Sequence, residues 1–400
     1  MNILYLCDEY PPGRHGGIGT SVQLLARAMV RLGHNVIAAG LYSPGYGGDD
    51  EFEDEGVKVY RFRREFDAKW LTDQSLPFRI YNRVLKDTGL MERDIKKSLL
   101  LYKRQLEKII SEHKIELIEM PDYNDYVRFC KTYIPFPQLS VPVVIKMNGS
   151  ITYFAAEANK PVPSHIVKME QTILNQAAAV ASASKYTADK SAICLSYPHK
   201  IEVLHNGIDT TLSPLVNKDP LQVIFTGTLT TKKGIYQLAK AWNVVNKTMP
   251  QARLLVLGKG DKKRVVECLS ADAKKTVTFM GHVATKKLYE YLGSSAVAIF
   301  PSYAEAFALA PLEAMACGTA VINSNRTSGP ELITDHIDGL LIDPDDTAQI
   351  ADAILYLLNN PDICVKLAKE GNEKVKALFD INKIAADNIL FYNSVLKNRT

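Results

Sequence analysis

Short apolar runs alternate with stretches of helical periodicity along this chain, and the alternation stops near the middle and starts again. Residues 3–7 form the first buried-strand candidate, 21–32 an amphipathic stretch ending at Gly33, and 35–39 the next strand. Further strand candidates lie at 57–62, 117–120, 143–147, 179–183 and 201–204, with helical periodicity over 91–112 and 165–176. After the polar, proline-containing segment 209–220 come strands at 223–226, 253–257, 277–279, 296–300, 320–322 and 339–342, with a helix over 235–248. Parallel neighbours need a crossover to return the chain, so this pattern specifies a mostly parallel, doubly wound sheet. The restart specifies a second one. Four hundred residues also exceed what one core ordinarily serves.

The expected fold is therefore α/β, with two Rossmann-like doubly wound domains facing across a cleft. The expected domains are 1–212, 213–379 and a C-terminal helix, 380–400, that returns to the first domain. Ile381, Ile384, Ala385, Ile389, Tyr392 and Leu396 stand at helical spacing there. Open α/β sheets bind ligands at the carboxyl ends of their strands, which makes the cleft the expected active site.

Composition narrows the function classes. An apolar fraction of 46 % and a charged fraction of 23 % are ordinary for a globular chain. A net charge of +4 does not point to nucleic acid as a partner. Cys7, Cys130, Cys194, Cys268, Cys317 and Cys364 are scattered without a metal-binding spacing, and read as reduced thiols of a cytoplasmic protein. The eight histidines show no metal spacing either. Residues 3–7 are too short for a signal peptide, and Asp8 and Glu9 follow at once. No run of about 18 uncharged apolar residues spans a membrane.

The segment 301–318 is richest in chemistry. It follows a strand candidate, places Glu305 at the strand–helix turn and Glu313 about two turns on, and closes at Gly318. A helix start offers unpaired amides and a positive dipole end, suited to a diphosphate. A carboxylate beside such a site suits hydrogen bonds from sugar or ribose hydroxyls. By spacing alone the two glutamates read equally well as ordinary helix charges.

The stretch resembles the paired-glutamate signature of retaining GT-B glycosyltransferases, the large family four (glycosyl transferases group 1). Other segments are similar in the same order: Gly16-Gly17-Ile18-Gly19, Asn206-Gly207-Ile208-Asp209, Gly227-Thr228-Leu229 with Lys232-Lys233-Gly234, 277–283, and Ser328-Gly329-Pro330-Glu331 with Asp338-Gly339. The resemblance implies that Glu313 holds the ribose hydroxyls and that Glu305 contacts the transferred sugar. It implies further that Phe307, Ala308 and Leu309 meet the diphosphate, that Gly281, His282 and Val283 meet the base, and that Lys233 neutralises the leaving phosphates. Gly227, Thr228 and Lys232 complete the donor side, and Gly16, Gly17 and Gly19 a phosphate or acceptor loop. Asp122 and Tyr123 are acceptor-side candidates. No cofactor and no metal are implied. The nucleotide sugar is a co-substrate, uridine being favoured over guanosine, and Asp49-Asp50 and Asp345-Asp346 read as solvated loop charges.

Four positions depart from the family pattern. Thr228 stands where Arg is usual, removing a bidentate phosphate ligand. Ala306 and Ala308 replace two glycines. Asn148 stands where a His is usual, and Asn hydrogen-bonds but does not titrate near neutrality. Asn148 suits a same-face mechanism in which the leaving phosphate takes the acceptor proton.

Residues 58–108 carry 14 Lys/Arg against 7 Asp/Glu. Arg79, Arg83, Lys86, Arg93, Lys96, Lys97, Lys103, Arg104 and Lys108 read as a solvated helix face or as a surface for anionic lipid. The second reading fits a saccharide or lipid-linked acceptor and a peripheral place on the inner membrane face. The expected function is a metal-independent hexosyl transfer in polysaccharide or lipopolysaccharide synthesis. A nucleotide-sugar epimerase and a non-catalytic nucleotide-sugar binder are the alternatives.

Overall fold

The computed structural model describes residues 1–13, 15–42, 46–63, 84, 88–211 and 217–397. Arg79, Arg83 and Lys86 lie outside the described residues. The chain divides into two compact units, Met1–Gly207 with Ile381–Thr400, and Ile208–Asp380.

The sheet of the first unit has eight strands: β1 (Asn2–Leu6), β2 (Asn35–Tyr42), β3 (Glu51–Asp54), β4 (Val57–Arg63), β5 (Leu117–Pro121), β6 (Val143–Met147), β7 (Ala179–Ser182) and β8 (Ile201–Val203). Their order is β3-β4-β2-β1-β5-β6-β7-β8, and every neighbouring pair but β3–β4 is parallel. Both faces of such a sheet are covered, so its strands are apolar on both sides. Ile3 and Tyr5 pack with the helices Gly17–Arg31 and Ile381–Lys397, whereas Leu4 and Leu6 pack with Leu90–Glu112. The C-terminal helix is anchored by Tyr392, whose hydroxyl donates to Glu119 Oε2 at 2.6 Å within the interior.

The strand β3 has no counterpart in the apolar-run reading. Its sequence, Glu51-Phe52-Glu53-Asp54, offers one apolar side chain, and it forms because the two-residue turn Glu55-Gly56 (φ 48° and 85°) folds it back on β4. Positive φ at both central residues matches the twist of the flanking strands.

The second unit carries β9 (Asp219–Thr226), β10 (Arg253–Leu257), β11 (Val277–Gly281), β12 (Ser295–Phe300), β13 (Ala320–Ser324) and β14 (Leu340–Ile342). All are parallel, in the order β11-β10-β9-β12-β13-β14. The chain winds outward from β9 to β11 and resumes on the other side with β12. Adjacent connections therefore diverge at the carboxyl ends of β9 and β12, the place where doubly wound sheets open a crevice. Trp242, fully buried in this unit's core, donates its indole N–H to Thr276 Oγ1 at 3.0 Å. The strand β9 begins at Asp219, earlier than its apolar run, because Asp219 pairs with Ser295 of β12, and the Gln222 amide donates to Ser295 Oγ at 2.9 Å.

Asp50 and Asp345 are not merely solvated. Asp50 pairs with Arg63 at 2.5 Å, and Asp345 accepts from the Tyr303 hydroxyl at 2.8 Å and from Arg326 at 2.7 Å. Among the described residues no helix is long and apolar enough to cross a membrane.

Candidate active site

Two connections meet at the β9/β12 divergence. Residues 227–234 leave β9 and 301–308 leave β12, and Tyr303 N donates to the Lys232 carbonyl at 2.8 Å. Gly234 allows this approach. Its φ is 68°, and a Cβ there would stand 1.8 Å from the Pro301 carbonyl oxygen, so no other residue fits. The short 3-10 turn Thr231–Lys233 then presents Lys233, whose Nζ lies 2.5 Å from Glu305 Oε1. The side chains of Lys233 and Glu305 are 29 % and 16 % exposed, which places the pair between the surface and buried regimes. Burial alone would raise the Glu305 carboxyl. Lys233 and then Lys232 outweigh it, holding Glu305 below the usual carboxylate range and ionised at neutrality. The Glu305 amide donates to Thr327 Oγ1 at 3.2 Å, fixing the turn.

The helix Leu309–Ala316 starts just beyond. Its N-cap, Ala308, is extended (φ −85°) and supplies no side-chain acceptor. Alanine in place of glycine fits there, because the backbone lies outside the left-handed region. Phe307 is buried, its ring 5.8 Å from that of Phe379. Glu313 lies on this helix, half-buried, and its carboxylate makes no hydrogen bond or ion pair with the described residues. Burial pushes it up to about 7. A half-buried carboxylate in this state is suited to accept hydrogen bonds from hydroxyls brought by a ligand.

The rim continues through the neighbouring loops. Leu229 N donates to the Lys259 carbonyl at 2.9 Å, and Gly258 N to the Gly281 carbonyl at 2.8 Å, joining the loops after β9, β10 and β11. Gly227 has φ 153° and Gly281 φ 69°, with open space where a Gly281 Cβ would stand. Thr228, Lys232 and His282 are exposed, and Val283 is half-buried. The donor-side residues expected from sequence thus fall on connections at the carboxyl edge of one sheet. Thr327 and the Tyr303–Asp345–Arg326 cluster, which brace these loops, gave no signal in the sequence, since single polar residues in loops carry no period.

In the first unit, Gly16, Gly17 and Gly19 open the helix Gly17–Arg31, and the Gly19 amide donates to Glu9 Oε1 at 2.8 Å. A Cβ on Gly19 would stand 2.1 Å from the Glu9 carbonyl oxygen. A carboxylate of the chain itself thus occupies this helix start. Asn148 is half-buried after β6. Its Nδ2 donates to the Lys146 carbonyl at 3.3 Å, and its Oδ1 accepts from Asn206 at 3.4 Å. Asp122 is buried (3 % exposed) and accepts from the Asn148 amide at 2.8 Å. Tyr123, beside it, lines a cavity at the ends of β1 and β5 together with Asp8, Tyr102 and Tyr126.

Residues 15–212 match the family model Glycosyltransferase Family 4, and residues 212–374 match Glycosyl transferases group 1. The chain is a GT-B-type glycosyltransferase. An uncharacterized glycosyltransferase of Methanocaldococcus jannaschii, MJ1607, is 26 % identical across 97 % of this chain and 99 % of its own. A glycogen synthase of Mycobacterium tuberculosis is 24 % identical across 96 % of this chain and 92 % of its own. Among solved structures, the fold of this glycosyltransferase is similar to sucrose-phosphate synthase from Thermosynechococcus elongatus, with TM-score 0.78, 21 % identity and full coverage of both chains (100 % each). It is also similar to Anabaena HepE in complex with UDP and glucose, with TM-score 0.68, 15 % identity, and 98 % and 100 % coverage. Both sheets of the glycosyltransferase have the doubly wound parallel form expected from the sequence.

Proposed function

We propose that this glycosyltransferase is retaining and metal-independent, moving a hexose from a nucleoside diphosphate sugar to a saccharide or lipid-linked acceptor. The single observation that carries the reading is the partly buried Lys233–Glu305 pair beside the uncapped start of the helix bearing Glu313. The departing nucleoside diphosphate develops negative charge. Lys233 and Lys232, fixed on the β9 loop, offset it without reorganising solvent. The first amides of Leu309–Ala316 hold the phosphates, and Glu313 takes the ribose hydroxyls. Glu305 stays ionised beside Lys233 and accepts from hydroxyls of the transferred sugar, which positions the anomeric carbon. Asn148 serves the transfer step as a neutral group, and the leaving phosphate takes the acceptor proton. A uridine nucleotide is favoured, in keeping with the UDP of the HepE complex.

Nucleoside diphosphate release, measured over UDP-glucose, UDP-galactose, UDP-N-acetylglucosamine and GDP-mannose with and without acceptors, tests this. Acceptor-dependent release with an α-linked product supports it. Interconversion of the sugar without release would make the protein an epimerase. Binding that raises Tm without turnover would make it a nucleotide-sugar binder.

A second observation favours a membrane-associated acceptor. On the helix Leu90–Glu112, Arg93, Lys96, Lys97, Leu100, Leu101, Arg104 and Lys108 are exposed at spacings of three and four, one basic stripe with two leucines at its centre. Each basic residue near an anionic bilayer contributes about 1 kcal/mol. Flotation is expected to recover the protein with anionic and not with neutral vesicles at low salt. Equal recovery from both would end this reading.

A further inference from the structure

The turn between β6 and the helix Ile151–Glu157 is built on two buried carboxylates. Glu170, buried on the helix Ser164–Gln176, accepts from the amides of Ile151 at 2.8 Å and Thr152 at 3.2 Å, and Ser150 Oγ accepts from Tyr153 N at 3.2 Å. Asp122 fastens the other side. Its backbone amide donates to the Lys146 carbonyl at 3.0 Å, and its Oδ1 accepts from Asn148 N at 2.8 Å. Its Oδ2 is buried without a partner. Burial, reinforced by Glu170, raises the Asp122 carboxyl to about 7, so near neutrality a proton occupies it much of the time. Gly149 turns the chain at φ 97°, where a Cβ would stand 2.5 Å from the Phe154 ring. Asn148 is thus fixed at its amide by Asp122 and at its carboxamide by Asn206 and Lys146.

We propose that Asp122 is a positioning residue rather than an acceptor ligand: it holds the main chain of Asn148 so that the Asn148 carboxamide keeps one orientation for the transfer step. The proposal rests on the reading that Asn148 serves the transfer step. With 3 % of its surface exposed, Asp122 acts on substrate only through Asn148. Misplacing an orienting group costs the chemical step more than it costs binding.

The test uses the full chain, the most active sugar nucleotide of the panel above, and the variants Asp122→Ala, Asp122→Asn and Asn148→Ala. Asp122→Ala is expected to lower kcat about tenfold or more, with KM for the donor changed by less than about twofold. Asp122→Asn, which keeps an acceptor oxygen for the Asn148 amide, is expected to restore most of the turnover. Hydrogen exchange at the Asn148 amide should rise in the Ala variant and return toward wild type in the Asn variant. Asp122→Ser, too short to reach that amide, replaces the Ala variant if the latter is not recovered folded. The proposal falls if the Asn variant is as deficient as the Ala variant, if the loss lies in KM, or if amide exchange is unchanged. An Asn148→Ala protein with wild-type turnover would instead remove the reading beneath it.

Discussion

The two sheets of this glycosyltransferase follow one plan, and some of their helix starts are treated in opposite ways. In the first unit, Glu9 accepts from the Gly19 amide, and Glu170 with Ser150 satisfies the first amides of Ile151–Glu157. In the second, Gly234, Ala284 and Ala308 precede the helices that follow β9, β11 and β12, and none supplies a capping side chain. In the same unit Asp261 and Asp346 cap the helices Lys262–Glu267 and Thr347–Asn359, while Lys232 and Lys233 stand on the connection that follows β9. A helix start filled by the chain's own carboxylate is closed to an anion, and one left without a cap beside lysines is open to one. On the function proposed above, a few side chains turn the same fold into a scaffold in one half and an anion site in the other.

The contrast breaks most readily at Glu305. Glu305→Ala is expected to lower kcat by about 10²–10³-fold, because it removes an oriented acceptor at the transferred sugar and frees Lys233. Steady-state kinetics beside calorimetric nucleotide affinity would check it, and a loss confined to affinity would mean that Glu305 serves binding alone. Glu313→Ala comes next. It is expected to weaken nucleotide binding by about 10- to 100-fold while the Tm changes little.

The pH dependence of Glu313 sharpens the contrast further. Its carboxyl is raised to about 7 in the folded protein. Its stabilising contribution is therefore complete below the unfolded value, about 4.3, and is lost as pH rises through the folded one. Glu313→Gln removes that loss and is expected to be more stable than wild type by roughly 1–3 kcal/mol at pH 8, with the difference closing near pH 4. Nucleotide affinity of the wild type should rise between pH 6 and pH 8 as the carboxylate ionises to accept ribose hydroxyls. Melting curves and calorimetry across that range would show both. A flat profile would mean that Glu313 is already ionised and solvated.

The smallest effect is expected in the first unit. Glu9→Ala should cost about 1 kcal/mol of stability through the lost acceptor at the Gly17–Arg31 helix start, with nucleotide affinity within about twofold of wild type. If removing Glu9 instead created measurable UDP binding at a second site, the first sheet would prove to be a masked copy of the second.

Much of this was legible in the sequence because it is periodic or conformationally demanding. Apolar runs of strand length alternating with helical periods can be read without a partner in view, since each residue's face follows from its own position. The strand β3 escaped because its pairing comes from a turn and not from its own composition. The glycines were legible for a related reason. Gly234 and Gly19 stand where a neighbouring backbone leaves no room for a Cβ, and a chain advertises such places by the residue it uses.

What the sequence by itself determined, then, is the two doubly wound sheets and the break between them; Glu305, Glu313 and Lys233 it offered as a donor-side set through family resemblance. Tertiary structure alone decided how these are used. It sets Lys233 72 residues away in sequence against Glu305, carries Glu9 to Gly19, and buries Asp122 under Asn148. Charge, burial and partner are properties of a place in three dimensions. A carboxylate that binds hydroxyls and one that caps a helix are the same residue until folding surrounds them.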